Sequence, residues 1–284
     1  MKPTSAILDR RSSDTSLPSQ GEGRGWGWWP HAPFALLAAL AAAGVQAQPG
    51  ACTAASGAGT AALVELYTSE GCSSCPPAYR WLSTLRESGL GPGRLVPLGL
   101  HVDYWDYIGW RDPFALPLFS ARQRELAAIH RARVVYTPQV VLAGKDYRGW
   151  DSRRFADAVA AVNGTAARAR ITLALSAAGG ATAQLRATAS VPQREAREDA
   201  VLYVARYENG LSTSVKAGEN RGKTLNHDFV AREWWGPLAL DAAGDTAFER
   251  PLDAQRLARG GVAAFVQSRR TGDVLQALAL PACL

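Results

Sequence analysis

The sequence predicts an α/β protein: a central mixed sheet flanked by helices over residues 63–164, followed by an antiparallel β-rich part over residues 165–284. Three observations predict it. A short strand-forming run leads straight into a Cys-x-x-Cys at a helix start, strand and helix signals then alternate as far as Asn163, and beyond Asn163-Gly164 the texture changes to alternating apolar and polar segments separated by turns.

Bulk properties narrow the function classes. The chain has 284 residues, of which 47% are apolar and 20% charged, ordinary values for a globular protein. Its 31 basic and 25 acidic residues give a net charge of +6, but they are interspersed, which fits solubility and points away from a nucleic-acid partner. No phosphate loop, nuclease carboxylate cluster or serine-hydrolase elbow is present.

Residues 1–47 read as a leader. Phe34 to Val45 is an unbroken apolar run, shorter than the roughly 20 residues of a membrane helix. Arg10, Arg11 and Arg24 precede it, and Val45-Gln46-Ala47 ends it in a small-x-small pattern, so a signal peptide cleaved after Ala47 is expected, with an uncleaved anchor as the alternative. The mature chain is then periplasmic or secreted, without membrane association beyond the leader, in a compartment where disulfides persist. Residues 48–62, rich in Gly, Ala, Ser and Thr, are expected to form a linker.

The elements follow in order. Leu63–Thr68 (LVELYT) is a strand, and the helix after Cys75 is marked by Pro76 and Pro77 in its first turn and by Tyr79, Leu82 and Leu85 at helical spacing. Arg94–Val102 is a second strand. An aromatic stretch, DYWDYIGWRDPF, carries a turn at Asp112-Pro113. Ser120–Ala132 is a helix with Ser120 as its cap, Val134–Leu142 a strand broken by Pro138, Tyr147–Trp150 a short strand and Asp151–Val162 a helix. In the second part, Ile171–Ser176, Ala183–Ala189, Ala200–Tyr207, the segment Phe229–Trp235 and Val262–Ser268 are strands.

The chemistry resides in Cys72 and Cys75. At a helix N-terminus the unpaired N–H groups and the dipole stabilise a thiolate, which makes Cys72 the candidate nucleophile and Cys75 the resolving thiol one turn later. The partners implied are protein thiols and disulfides. Three other roles compete: half of a zinc site, which lacks a second ligand pair; a permanent structural disulfide; and a soft-metal site, with copper held by Cys72, Cys75 and His227. No cofactor is otherwise implied. Pro138, with Thr137 before it, suits a cis-proline facing the dithiol and equally an edge strand. Trp105, Tyr107 and Trp110 line either a substrate surface or a packing lid. His101 and Asp103 form a proton relay to Cys75 or belong to the core. Cys52 and Cys283, near the two ends of the mature chain, are expected to form a structural disulfide.

The motifs VELYTSEGCSSCPPA, HVDYWDYIGWRDPF, the Arg122-Gln123 region, VYTPQVVLAG and GENRGKTLNHDFV together resemble the secreted bacterial family called domain of unknown function 1223, a branch of the thioredoxin-like superfamily. The resemblance runs from Leu63 to the C-terminus. It implies a thioredoxin-like domain over 63–164 with Pro138 at the cis-proline position, and a Gly218–Asp228 loop that folds back toward the dithiol, with His227 there as base or ligand, instead of standing in solvent; it implies no reaction. Ser73-Ser74 between the cysteines departs from the Gly-Pro of thioredoxin, which leaves the redox poise open.

Overall fold

The computed structural model describes residues 51–284; the expected leader and its cleavage after Ala47 lie outside them. Fourteen strands and four α-helices occur in the described residues: β1 Ala51–Ala55, β2 Ala62–Thr68, α1 Cys75–Thr84, β3 Leu95–His101, α2 Pro117–Ile129, β4 Gln139–Leu142, β5 Lys145–Asp146, α3 Arg154–Asn163, β6 Arg170–Ala177, β7 Thr182–Ser190, β8 Ala200–Glu208, β9 Leu211–Ser214, β10 Thr224–His227, β11 Val230–Ala239, β12 Asp245–Asp253, α4 Ala254–Leu257, β13 Gly260–Ser268 and β14 Val274–Pro281. The result is a mixed α/β fold, rich in strands, and among the described residues no helix is long and apolar enough to cross a membrane.

The main sheet is eight-stranded, ordered β14-β13-β8-β11-β3-β2-β4-β5. β2 and β3 are parallel, β11 meets β3 in parallel at Val230 and Gly99, and the remaining pairs are antiparallel. The expected boundary at residues 164/165 therefore does not divide the fold, because strands from both sides of it form one sheet within a single compact unit. The residue pattern explains this. β8 and β13 are apolar almost throughout since each face is buried in a different core: Tyr203, Ala205 and Phe265 pack with β2, β3 and α1, while Leu202, Val204, Val262 and Ala264 pack against Leu173, Leu175 and Leu185 of a second, four-stranded sheet ordered β1-β6-β7-β12.

The stretch expected to be a linker is built into the structure. β1 pairs antiparallel with β6, Cys52 is disulfide-bonded to Cys283 with a Cα–Cα distance of 6.4 Å, and the buried Gln276 amide accepts from Ala61 N (2.8 Å) and donates to Gly57 O and Gly59 O (3.1 and 3.0 Å). Small residues suit such close backbone approach, and composition alone does not separate that role from a flexible tether.

Three local expectations also change. The strand expected from Val134 begins only at Gln139, since Pro138 has no N–H to give a ladder. The short strand lies at Lys145–Asp146 instead of Tyr147–Trp150, because Ala143 and Gly144 (φ 50° and 87°) close a two-residue hairpin directly after β4. Ser120 is not a cap: α2 starts a turn earlier at Pro117, and the buried Ser120 hydroxyl donates to the Asp103 carboxylate.

One buried cation ties the halves together. From α2, Arg122 donates Nε and Nη2 to the Glu65 carboxylate of β2 (2.6 and 3.1 Å) and Nη2 to Gln267 of β13 (3.0 Å). Its guanidinium lies over the rings of Tyr203, Trp234 and Phe265 at 4.8, 5.1 and 5.0 Å. Burial by itself would lower its pKa, but the Glu65 carboxylate outweighs that and holds it raised and charged. Arg122→Met should lower the unfolding free energy in urea titrations by about 3–5 kcal/mol, because Glu65 is left buried and unpaired. Adding Glu65→Leu should recover most of that loss.

Candidate functional site

The dithiol sits where β2 runs into α1. Cys75 is the first residue of the helix, and Pro76 occupies a first-turn position where a missing N–H costs nothing. Cys72 and Cys75 are disulfide-bonded, Cα–Cα 5.5 Å, and the Ser74 hydroxyl lies 3.3 Å from Cys72 Sγ. Neither cysteine is open to solvent: Cys72 is 1% exposed and Cys75 2%.

The cover is a hairpin arm, β9 and β10 with the loop Val215–Lys223 between them. Glu219 accepts from Ser73 N at 2.8 Å, an interaction that holds its carboxyl below the ordinary glutamate range. The buried Asn220 amide donates to both Glu70 O and Cys72 O, each at 2.8 Å. Lys223 Nζ in turn donates to Asn220 Oδ1 at 2.9 Å, which fixes the orientation of that amide. Gly218–Asp228 thus folds back onto the dithiol turn.

Beneath the turn lie two carboxyl–histidine pairs. His227 Nε2, at the end of β10, pairs with Glu70 Oε1 at 2.8 Å, and Trp110 Nε1 donates to Glu70 Oε2 at 3.0 Å. His101 Nδ1, at the end of β3, pairs with Asp112 Oδ2 at 2.7 Å, and the same oxygen accepts from Glu70 N at 2.8 Å. The partner of His101 is thus Asp112, not Asp103, which is held by Ser120. The two imidazoles stand edge to face with centroids 5.1 Å apart, between Tyr79 and Phe114. The far nitrogens, His101 Nε2 and His227 Nδ1, are buried without hydrogen-bond partners.

The electrostatics follow from this packing. Burial lowers the His227 pKa below the usual imidazole value; the Glu70 hydrogen bond opposes the shift and the neighbouring His101 adds to it. For Asp112, burial pushes upward, but His101 and the Glu70 and Phe114 amides together bring its carboxyl below the usual range. A cavity of about 100 Å³ adjoins the pair, lined by Glu70, Cys75, Pro76, Tyr79, Leu225 and His227. Gly99 makes the arrangement possible: the Tyr79 hydroxyl, which donates to Asp228 O at 3.1 Å, occupies the space a Cβ there would need.

The aromatic stretch divides. Trp110 joins the Glu70 pair, whereas Trp105 Nε1 donates to Thr137 Oγ1 at 2.8 Å and so links the dithiol side of the molecule to the Thr137–Pro138 turn, whose peptide is cis. Tyr107 is 82% exposed beside them. His227 faces Glu70, both sulfurs are bonded to each other, and among the described residues no group of three or more His, Cys, Asp or Glu is arranged to hold a metal ion, so the copper ligand set Cys72, Cys75 and His227 is not assembled in this state. Glu70 and Asp112 carry no motif that would mark them as a pair of histidine partners.

The model of a family described as "Protein of unknown function (DUF1223)" matches residues 63–267. The chain belongs to this family. Across DUF1223 no reaction is defined by that description, and no curated protein matches the sequence. Among solved structures, the chain is similar to the crystal structure of protein AGR_C_4864 from Agrobacterium tumefaciens, with 25% identity, a TM-score of 0.54, and coverage of 78% of this chain and 94% of that one. It is also similar in fold to HBP35 of Porphyromonas gingivalis, at 15% identity and a TM-score of 0.59, covering 80% and 76% of the two chains. The Cys52–Cys283 disulfide of this DUF1223 member is compatible with an exported protein.

Two measurements probe the site. Asn220→Ala removes two of the three hydrogen bonds from the Val215–Lys223 loop to the dithiol turn, leaving that of Glu219 to Ser73 N, and should speed reduction of Cys72–Cys75 by a phosphine at least about tenfold, read by mass spectrometry of alkylated thiols, with each lost bond worth roughly 1 kcal/mol. For His227 the sign is that of a depressed base: the unfolded chain takes its proton near the ordinary histidine pKa of about 6.5 while the folded protein resists it. Stability should therefore be full above about pH 6.5 and fall as pH drops toward the lowered folded value. The melting temperature of His227→Gln should be less sensitive to pH over that window than that of the wild type.

Proposed function

We propose that this protein is an exported, thioredoxin-like thiol–disulfide oxidoreductase acting on protein thiols and disulfides, with residues 1–47 removed as a signal peptide. The observation that carries the reading is the Cys72–Cys75 disulfide straddling the start of α1 directly after β2. A helix N-terminus favours the thiolate of the leading cysteine, and a partner one turn away can displace what it has captured. In the reduced protein the Cys72 thiolate attacks one sulfur of a partner disulfide, forming a mixed disulfide and releasing the other sulfur as a thiolate. Cys75 then attacks Cys72, the partner's second sulfur leaves as a thiolate, and the two electrons have passed to the partner; the reverse sequence oxidises a partner dithiol. Thr137 and Pro138, linked to Trp105, and the exposed Tyr107 are the proposed docking elements.

Because both sulfurs are buried under Glu219 and Asn220, exchange requires the arm to lift. That same burial favours a second reading, a non-catalytic module with a structural disulfide. Incubated with a peptide disulfide, reduced Cys75→Ser should form a covalent adduct on Cys72 detectable by intact mass, Cys72→Ser should form none, and the wild type should accelerate turnover of the peptide. Absence of both adduct and turnover, together with a reduction potential below about −300 mV, would establish the structural disulfide instead.

A further inference from the structure

The resolving step needs a proton acceptor. Cys75 attacks only as a thiolate, and it is 2% exposed. Burial in apolar surroundings raises a thiol pKa, and the cavity that Cys75 lines is shared with the carboxyl of Glu70, the rings of Tyr79 and His227, and the exposed Arg80.

We infer that His227, delivered by the hairpin arm and oriented by Glu70, is the general base that takes the Cys75 proton. The inference rests on the oxidoreductase reading above and extends it to a named base. Glu70 accepts from His227 Nε2–H at 2.8 Å, and that bond makes Nδ1 the basic nitrogen. Nδ1 is buried and has no hydrogen-bond partner, an arrangement that costs stability unless the nitrogen has a use. His227 and Cys75 line the same cavity of about 100 Å³. As Cys75–S–H gives its proton to Nδ1, the thiolate forms the bond to Cys72, and the Cys72–partner bond breaks with the partner sulfur leaving as a thiolate. The imidazolium that results is adjacent to the Glu70 carboxyl, while Trp110 Nε1 on the other Glu70 oxygen keeps that group in place.

The groups facing His227 are Glu70 from the β2–α1 turn, Tyr79 from α1, His101 from β3 and Asp112 from the turn before α2. Asp112 holds His101 by its Nδ1, so this second imidazole stays fixed beside the first. The base belongs to β10 and the acid that orients it to the β2–α1 turn, 157 residues apart in sequence.

The test uses the reduced full chain and the aromatic disulfide dithiobis-nitrobenzoate in stopped flow, where the first thionitrobenzoate released reports attack by Cys72 and the second reports resolution by Cys75. In the wild type the second release should be nearly independent of pH from 7 to 8. In His227→Gln it should be slowed by about 100-fold at pH 7 and should rise steeply with pH, while the first release keeps its rate to within a few-fold. Glu70→Gln, which keeps an acceptor for Nε2 but removes the charge, should slow only the second release, by about tenfold, and serves alone if His227→Gln does not fold. If either folded variant resolves at the wild-type rate with the wild-type pH profile, His227 is not the base, though the oxidoreductase reading stands. If the wild type gives no first release at all, that reading itself is overturned.

Discussion

The buried guanidinium of Arg122 is the constraint on which the rest of the molecule depends. It comes from α2, its ion-pair partner Glu65 from β2, its amide partner Gln267 from β13, and its aromatic box from β8, β11 and β13. A charge taken out of water is tolerated only when its partners are in place, so the two halves of the sequence cannot separate without exposing or orphaning it. A pair of apolar side chains in place of both Arg122 and Glu65 would pack here with comparable stability. What the ion pair adds is register: a planar fork with two carboxylate contacts and three rings around it fits one arrangement of β2 against β13, whereas a methionine would accept several.

That register determines the site. With β11 laid parallel to β3 at Val230 and Gly99, the arm preceding β11 comes to rest across the N-terminus of α1. Asn220 and His227 are then brought to Cys72 and Glu70 from 148 and 157 residues away. Tyr79 is the post around which this closes: its hydroxyl reaches the backbone of Asp228 through space that Gly99 leaves open, and its ring packs on both histidines. The first half of the chain supplies the dithiol, Glu70 and the whole His101–Asp112 pair; the second half supplies the cover and His227.

This division explains what could be seen in the sequence. The strand, the Cys-x-x-Cys and the helix are consecutive, and local rules place them: Leu63–Thr68 differs from β2 by one residue, and the prolines after Cys75 mark the helix start. The pairings of Glu70 with His227 and of Asp112 with His101 follow no spacing rule, because they depend on where the sheet carries each residue. His101 shows the difficulty: Asp103, two residues on, is the near candidate, yet β3 ends at His101 and the Ser120 hydroxyl holds that carboxylate, while the Asp112-Pro113 turn brings the farther one to the ring. The apolar runs of β8 and β13 gave their strands but not their sheet, since a strand buried on both faces reads the same whether it closes one domain or joins two cores. Gln276, within an ordinary apolar strand, gives no hint that it pins residues 57–61.

Two histidines and two carboxyls buried at adjoining positions are a costly way to fill space. Each carboxyl has its full set of donors, from indole, imidazole or backbone N–H, and so is stable where it is. The imidazoles are not so balanced, since each keeps one nitrogen without a partner in a place water does not reach. Replacing both rings by phenylalanine would preserve the edge-to-face packing with Tyr79 and Phe114 and remove the two orphaned atoms, but it would strand the Glu70 and Asp112 carboxyls. The four groups therefore form a unit that can be discarded only as a whole, and a wholly apolar replacement would cost the core little. What an apolar core in that place would lack is any group able to take or give a proton beside a buried sulfur, and that is the property this cluster adds to the disulfide above it.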